Sequence, residues 1–173
     1  MVSIRAARAE EFARLAEIEL DAFVVWAKAC GVTSEPSSAP DFVLRQSLDQ
    51  AFLLVAEDAT GHVAGFAAGH RLGHHLHIVE VDVETFSQGK GLGRALMLAL
   101  LAEGSKAGLK HAVLTTDRFA PFNAPFYARL GFRILEGNDI PPFLRERLEM
   151  QISAGLDPDR RVAMQMDLSD EAF

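Results

Sequence analysis

Three groups of residues in this 173-residue chain have types and spacings that can do chemistry. The first is the run Gln88-Gly89-Lys90-Gly91-Leu92-Gly93-Arg94, which follows a strand-like stretch ending near Val83 and opens an apolar helical one. A strand–glycine turn–helix junction offers unpaired backbone N–H groups and the positive end of a helix dipole, so it suits an anion such as a pyrophosphate. Glycines let the backbone turn tightly and approach a ligand without Cβ clashes. The second group is Glu80 and Asp82, two carboxyls one pleat apart on the strand before the turn. Simple alternation puts them on one face with Ile78, and Val79, Val81 and Val83 on the other. Two carboxyls on an inner strand are expensive to bury unpaired. They must meet a partner, water or a cleft, and a structural ion pair is the plain alternative to a catalytic base. The third group comprises Tyr127, followed after three residues by Gly131-Phe132, and four histidines, His70, His74, His75 and His77, crowded on one hairpin. No cysteine or regular ligand spacing accompanies the histidines, so exposed turn residues, with His77 as a proton shuttle, are favoured over a metal site.

Glycine spacing narrows the choice of anion. A P-loop needs Lys-Ser/Thr after its last glycine, and a dinucleotide fingerprint reads G-x-G-x-x-G; this chain has neither. Gln88-x-x-Gly91-x-Gly93 instead resembles the acyl-CoA pyrophosphate loop of the GNAT N-acetyltransferase superfamily. Asn123-Ala124-Pro125-Phe126-Tyr127-Ala128-Arg129-Leu130-Gly131-Phe132 resembles a later GNAT motif, in the family's order and with a strand-like run between. The resemblance implies an acetyl-CoA-dependent N-acetyltransferase in which the amine attacks the thioester directly, with acetyl-CoA as cosubstrate and no metal. It implies that the backbone of Gln88, Gly89, Lys90, Gly91, Leu92, Gly93 and Arg94 holds the pyrophosphate. Asp82 and Val83 pair through their backbone with the pantetheine arm, one N–H polarising the thioester carbonyl. Tyr127 protonates the departing thiolate and Glu80 serves as base. Lys90 and Arg94 either add charge or are solvated side chains. Asn123 sits nearer the tyrosine than the usual family asparagine, which leaves its contact with CoA open. Direct attack gives Cys30 no required role.

The elements that must position these residues are readable in order. A first strand covers Val2–Ala6; a helix runs from Glu10 to about Phe23, extendable to Ala29, and stops at Gly31. Gly31–Pro40 is loop, with Trp26 and Cys30 read either as cleft-lining or as packing. Asp41 is expected to N-cap a short helix to Asp49. Strands follow at Ala51–Glu57, His62–Arg71 and His74–Val83, an antiparallel meander. A helix at Arg94–Ala107, capped by Gly108, leads to a β-run at His111–Thr116. A short helix at Phe122–Arg129, a strand at Phe132–Leu135, a helix from Pro141 and Pro142 to Ser153, and a last strand at Arg161–Leu168 complete the chain. The pattern is α/β: a mixed central sheet with helices on both faces, the GNAT fold, in a single domain over 1–173.

Composition limits the function classes. An apolar content of 49% fits a globular core. A formal net charge of −7 argues against nonspecific nucleic-acid binding. No apolar run is long enough to span a membrane, and the N-terminus lacks a signal-peptide pattern. The single cysteine excludes an internal disulfide and fits a reducing cytoplasm. The acceptor, a small-molecule amine or a peptide, is not named by the sequence. A homodimer is compatible with the resemblance. Two rival readings stay open: a noncatalytic acyl-CoA-binding or regulatory module of the same fold, and a nucleotide-binding domain using the glycine turn for another diphosphate.

Overall fold

The computed structural model describes residues 2–168. Seven strands form one sheet: β1 (Ser3–Ala6), β2 (Leu53–Glu57), β3 (Val63–Leu72), β4 (His75–Val83), β5 (His111–Asp117), β6 (Arg133–Leu135) and β7 (Arg161–Asp167), in the order β1-β2-β3-β4-β5-β7-β6. All neighbours are antiparallel except β4 and β5, which are parallel. Parallel strands need a crossover, and α3 (Leu92–Lys106) supplies it. The mixed α/β layout of the GNAT fold read from the sequence is the one observed.

Helices cover both faces. α1 (Phe12–Cys30) buries the stripe Phe12, Leu15, Ile18 and Ala22, and α2 (Asp41–Asp49) buries Leu44. Both pack on the face that presents Leu53, Val55 and Phe66. α5 (Pro142–Ser153) contributes Leu144 to a smaller cluster with Val113 and Ala163. The opposite face packs Leu96, Met97, Leu100 and Leu101 of α3 against Leu54, Ala67 and Leu114, with α4 (Ala124–Arg129) at its edge. α1 ends where Gly31 takes a left-handed conformation and returns its amide to Ala27.

Three expectations are corrected. The amide that begins α2 follows Pro40, and Asp41 is the first helical residue with no side-chain cap bond. α3 starts at Leu92, two residues earlier than the periodicity indicated, because Gly91 already turns the chain into it. The third correction concerns β4. Gly69 pairs with Ile78 but Ala68 pairs with Glu80, so Val79 is an extra, bulged residue. A bulge resets the alternation of side chains. Ile78 therefore joins Val81 and Val83 in the α3-side core, whereas Val79 packs with the α1-side cluster. Ile78 and Val79 thus exchange the faces that strict alternation gave them.

The most consequential feature is a divergence. β4 and β5 pair only at His75–His111, Leu76–Ala112 and His77–Val113, although β4 continues to Val83 and β5 to Asp117. Past His77 the two strands separate, and the sheet opens into a wedge.

Candidate active site

The wedge leads into a cavity of about 730 Å³ whose walls include residues 78–83 of β4, Leu114 and Thr116 of β5, and the turn before α3. The turn that leads into its wall at Ser87 and Gln88 is held by ties between distant segments. Glu84, just after β4, accepts from Arg14 Nη2 at 2.5 Å and from Ser87 Oγ at 2.8 Å, with His62 Nε2 at 2.9 Å. Asp21 accepts the Thr85 amide at 2.5 Å. These bonds fasten the 84–88 turn to α1. Gln88 Nε2 then donates to the Val83 carbonyl at 3.0 Å, closing the turn on the end of β4.

Beyond Gln88 the backbone stands open. Gly89 and Gly91 have φ of 73° and 84°, the left-handed region that favours glycine. A Cβ built on Gly91 would meet nothing within 4 Å. The amides of 89–94 have no protein acceptor among the described residues; the first backbone bond is from Ala95 to the Gly91 carbonyl. Gly93 differs: its φ is ordinary, and a Cβ there would touch Phe126 Cζ and Val83 Cγ2 at 3.9 Å each. Lys90 and Arg94 are exposed, Lys90 Nζ lying 4.6 Å from the ring centre of Phe86.

The carboxyls and the phenol meet in the same cavity. Glu80, Asp82 and Tyr127 all line it and are half-buried. Burial, reinforced by Asp82 and Glu19, raises the Glu80 carboxyl well above its ordinary range. Burial and the Glu19 charge push Asp82 up to about 7. Tyr127 has its ring edge-on to Phe126 and Phe132, at 5.1 and 5.8 Å. Burial, then the charges of Asp82 and Glu80, hold its phenol above the ordinary tyrosine range. Its hydroxyl makes no hydrogen bond among the described residues. The loop leading to α4 is clamped by Asp117, which accepts the Phe119 and Ala120 amides at 2.8 Å and receives Arg160 Nε at 2.7 Å.

A strand wedge, an unpaired amide arc at a helix start, and a phenol across from two carboxyls narrow the family, and sequence comparison decides it. Residues 12–132 match the Acetyltransferase (GNAT) family. The chain belongs to that family. Solved GNAT-fold structures align along nearly all of it. The ribosomal-protein-S18-alanine N-acetyltransferase from Escherichia coli is 18% identical, with a TM-score of 0.68 over 99% of this chain and 97% of that one. A phosphinothricin acetyltransferase from Sinorhizobium meliloti, solved with acetyl-CoA, is 19% identical, with a TM-score of 0.67 over 96% of this chain and 88% of that one. N-acetylglutamate synthase from Neisseria gonorrhoeae, solved with coenzyme A and N-acetyl-glutamate, is 16% identical with a TM-score of 0.71. There the match covers 98% of this chain but 36% of the synthase, so the GNAT chain spans about a third of that protein.

Asp82, Val83, Gln88, Gly89, Gly91, Leu92, Gly93 and Arg94 line the cavity with Glu80 and Tyr127, as does Asn123, which precedes the first residue of α4. Lys90 is not in that wall. Trp26 lines the cavity; Cys30 does not. Cys30 sits beside Asp117 and Arg160, where burial and the Asp117 charge push its thiol up to about 11. The four histidines disperse: His70 Nε2 lies 3.1 Å from the Val43 carbonyl, His75 Nδ1 lies 3.3 Å from the Leu72 carbonyl, His74 is exposed, and His77 is buried. Among the described residues no group of His, Cys, Asp and Glu is arranged to hold a metal, and no helix is long and apolar enough to cross a membrane. Among the lining residues, Glu19, Arg147, Gln151 and Arg161 are polar groups that no motif in the sequence marks.

Proposed function

We propose that this protein is an acetyl-CoA-dependent N-acetyltransferase that acetylates the amine of a small molecule. The observation that carries the reading is the meeting, in one cavity, of the unpartnered amides of Gly89 and of residues 91–94 with the Glu80–Asp82 pair and Tyr127. The amides and the start of the fifteen-residue helix α3 fit a pyrophosphate. The open β4 edge fits an extended arm that hydrogen-bonds as a strand does. Acetyl-CoA supplies the activated thioester; the chain's residues handle positions and protons.

The carboxyl pair takes the proton from the acceptor ammonium, directly or through one water, which frees the lone pair for attack. Raised carboxyl pKa values suit this task, because a base titrating near neutrality combines availability with driving force. The amine nitrogen forms its bond to the acyl carbon, the carbon–sulfur bond breaks as Tyr127 delivers a proton to sulfur, and the second proton of the nitrogen passes through solvent to restore the phenol. The two proton steps are coupled. A charged pair raises the phenol, so protonating the pair relaxes that effect and makes Tyr127 a better acid as the reaction proceeds. Burial, the larger influence on the phenol, disfavours the neighbouring thiolate in the same way. The reading extends to a protein at work in the cytoplasm. The test is acetyl-CoA-dependent thiol release across an amine library, with Gly91→Asp as the binding control. That variant puts a side chain and a negative charge into the amide arc and should abolish acetyl-CoA binding by calorimetry. Unchanged affinity would remove the reading.

A further inference from the structure

Behind Glu80 the cleft continues. A second cavity of about 420 Å³ shares Glu19, Ser37, Val79, Glu80 and Arg147 with the first, and adds His70 and His77. Its outer wall is the 37–40 segment, pinned by Glu19, whose two carboxylate oxygens accept the Ala39 amide at 2.8 and 2.9 Å. Buried polar side-chain atoms are nearly always hydrogen-bonded, since an unpaired one keeps the full cost of losing its water. Among the described residues three such atoms lack a partner: His77 Nε2, Asp82 Oδ2 and Arg147 Nε. All three residues line these two connected cavities.

The three differ in what they ask for. Asp82 lines the first cavity and not the second, and its unpartnered carboxyl oxygen fits an amine. Arg147 makes no ion pair with any carboxylate among the described residues. It is near enough to Glu80, His77 and Arg161 to act on each electrostatically. Arg161 is itself held, donating from Nε and Nη2 to Gln151 Oε1 at 3.1 and 2.9 Å. Desolvation keeps His77 neutral, down to about 3. A guanidinium without a protein partner and a neutral imidazole on one wall match an anionic oxygen pair, which arginine engages in a fork.

We propose that the second cavity receives the carboxylate of the acceptor, on Arg147 and His77, while its amine lies at Glu80 and Asp82, so that the acceptor is a free amino acid. This rests on the acetyltransferase reading above. The arrangement disfavours polyamines, whose second ammonium would face Arg147. It also disfavours peptide N-termini and protein lysines, because the pinned 37–40 segment bounds the space in which a chain would have to continue.

The experiment compares each accepted amino acid with its amide and its decarboxylated amine, by thiol release at saturating acetyl-CoA. The acid form is expected to win by about 100-fold or more in kcat/KM, since a lost partner leaves a buried charge unpaired. In Arg147→Gln that ratio should collapse toward one, and Arg147→Lys, which keeps the charge, should restore part of it. A wild-type ratio near one, with amines still acetylated, overturns the carboxylate site and leaves the acetyltransferase standing. If no amine releases thiol although acetyl-CoA binds, the acetyltransferase reading fails instead. Calorimetry of amino acids and their amides against the CoA-saturated protein then decides the carboxylate site. Equal binding overturns it, and preferential binding of the acids upholds it. Should Arg147→Gln not fold, the wild-type acid-to-amide ratio alone decides.

Discussion

Replacing Tyr127 by phenylalanine isolates one hydroxyl. The ring stays where it is, edge-on to Phe126 and Phe132. The hydroxyl has no hydrogen-bond partner among the described residues, so its removal breaks no bond of the fold. Because the hydroxyl faces the cavity and is bonded to no other group of the protein, removing it should change stability by no more than about 1 kcal/mol. The melting temperature should therefore barely move. Catalysis should respond differently. A positioned general acid contributes about 10²–10⁴-fold. At about 1.4 kcal/mol per decade this is roughly 3–5 kcal/mol of barrier. The proton is needed only as the carbon–sulfur bond breaks, so kcat and kcat/KM should fall together while acetyl-CoA affinity changes no more than a few-fold. Thiol release under single turnover, paired with calorimetry and a thermal melt, measures all three. Turnover within a few-fold of wild type, with chemistry rate-limiting, would refute the role; so would a melting temperature several degrees lower, which would expose the hydroxyl as a structural group.

Two further predictions follow from the same wall. Glu80 and Asp82 have folded-state pKa values raised above their unfolded ones. Their contribution to stability is thus intact below the unfolded carboxyl range and lost as pH rises, through about 7 for Asp82. Glu80→Gln and Asp82→Asn should melt with wild type near pH 4 and several degrees above it at pH 8, while Glu80→Gln loses turnover most at acidic and neutral pH; a melting difference that does not vary with pH would contradict the linkage. In the glycine turn, Gly91→Ala should destabilise by about 1–2 kcal/mol because of its left-handed φ. Gly93→Ala should gain up to about 1 kcal/mol within the helix, and chemical denaturation showing the two shifts with the same sign would sink that distinction.

What the sequence disclosed, and what it withheld, follows from the range of each interaction. The glycine turn was legible because backbone conformation is a local matter: left-handed φ values at Gly89 and Gly91 leave a mark on residue type. Strands and helices were legible from periodicity, until the bulge at Val79. One inserted residue shifts the phase of everything before it, and no side chain at that point announces the insertion; the partner strand defines it. The cleft's cations were illegible for another reason. Arg147 sits among Arg145, Glu146 and Glu149, so its neighbourhood reads as a solvated helix face. Only packing of α5 on β7 turns it inward. Glu19 is likewise one acid among Glu17 and Asp21 until the 37–40 segment comes to rest on it.

The separation of β4 from β5 has a consequence for the molecule's breathing. Past His77 the sheet consists of two leaves, β1–β4 and β5–β7, joined by three residue pairs and by side chains packed beneath. Amides along the inner edge of β4 lack a strand partner there, so deuterium should enter them readily in the free protein and slowly once an extended ligand lies between the leaves. A bound thioester arm would act as a missing rung of the ladder, stiffening the hinge between the leaves and slowing exchange on strands it never touches.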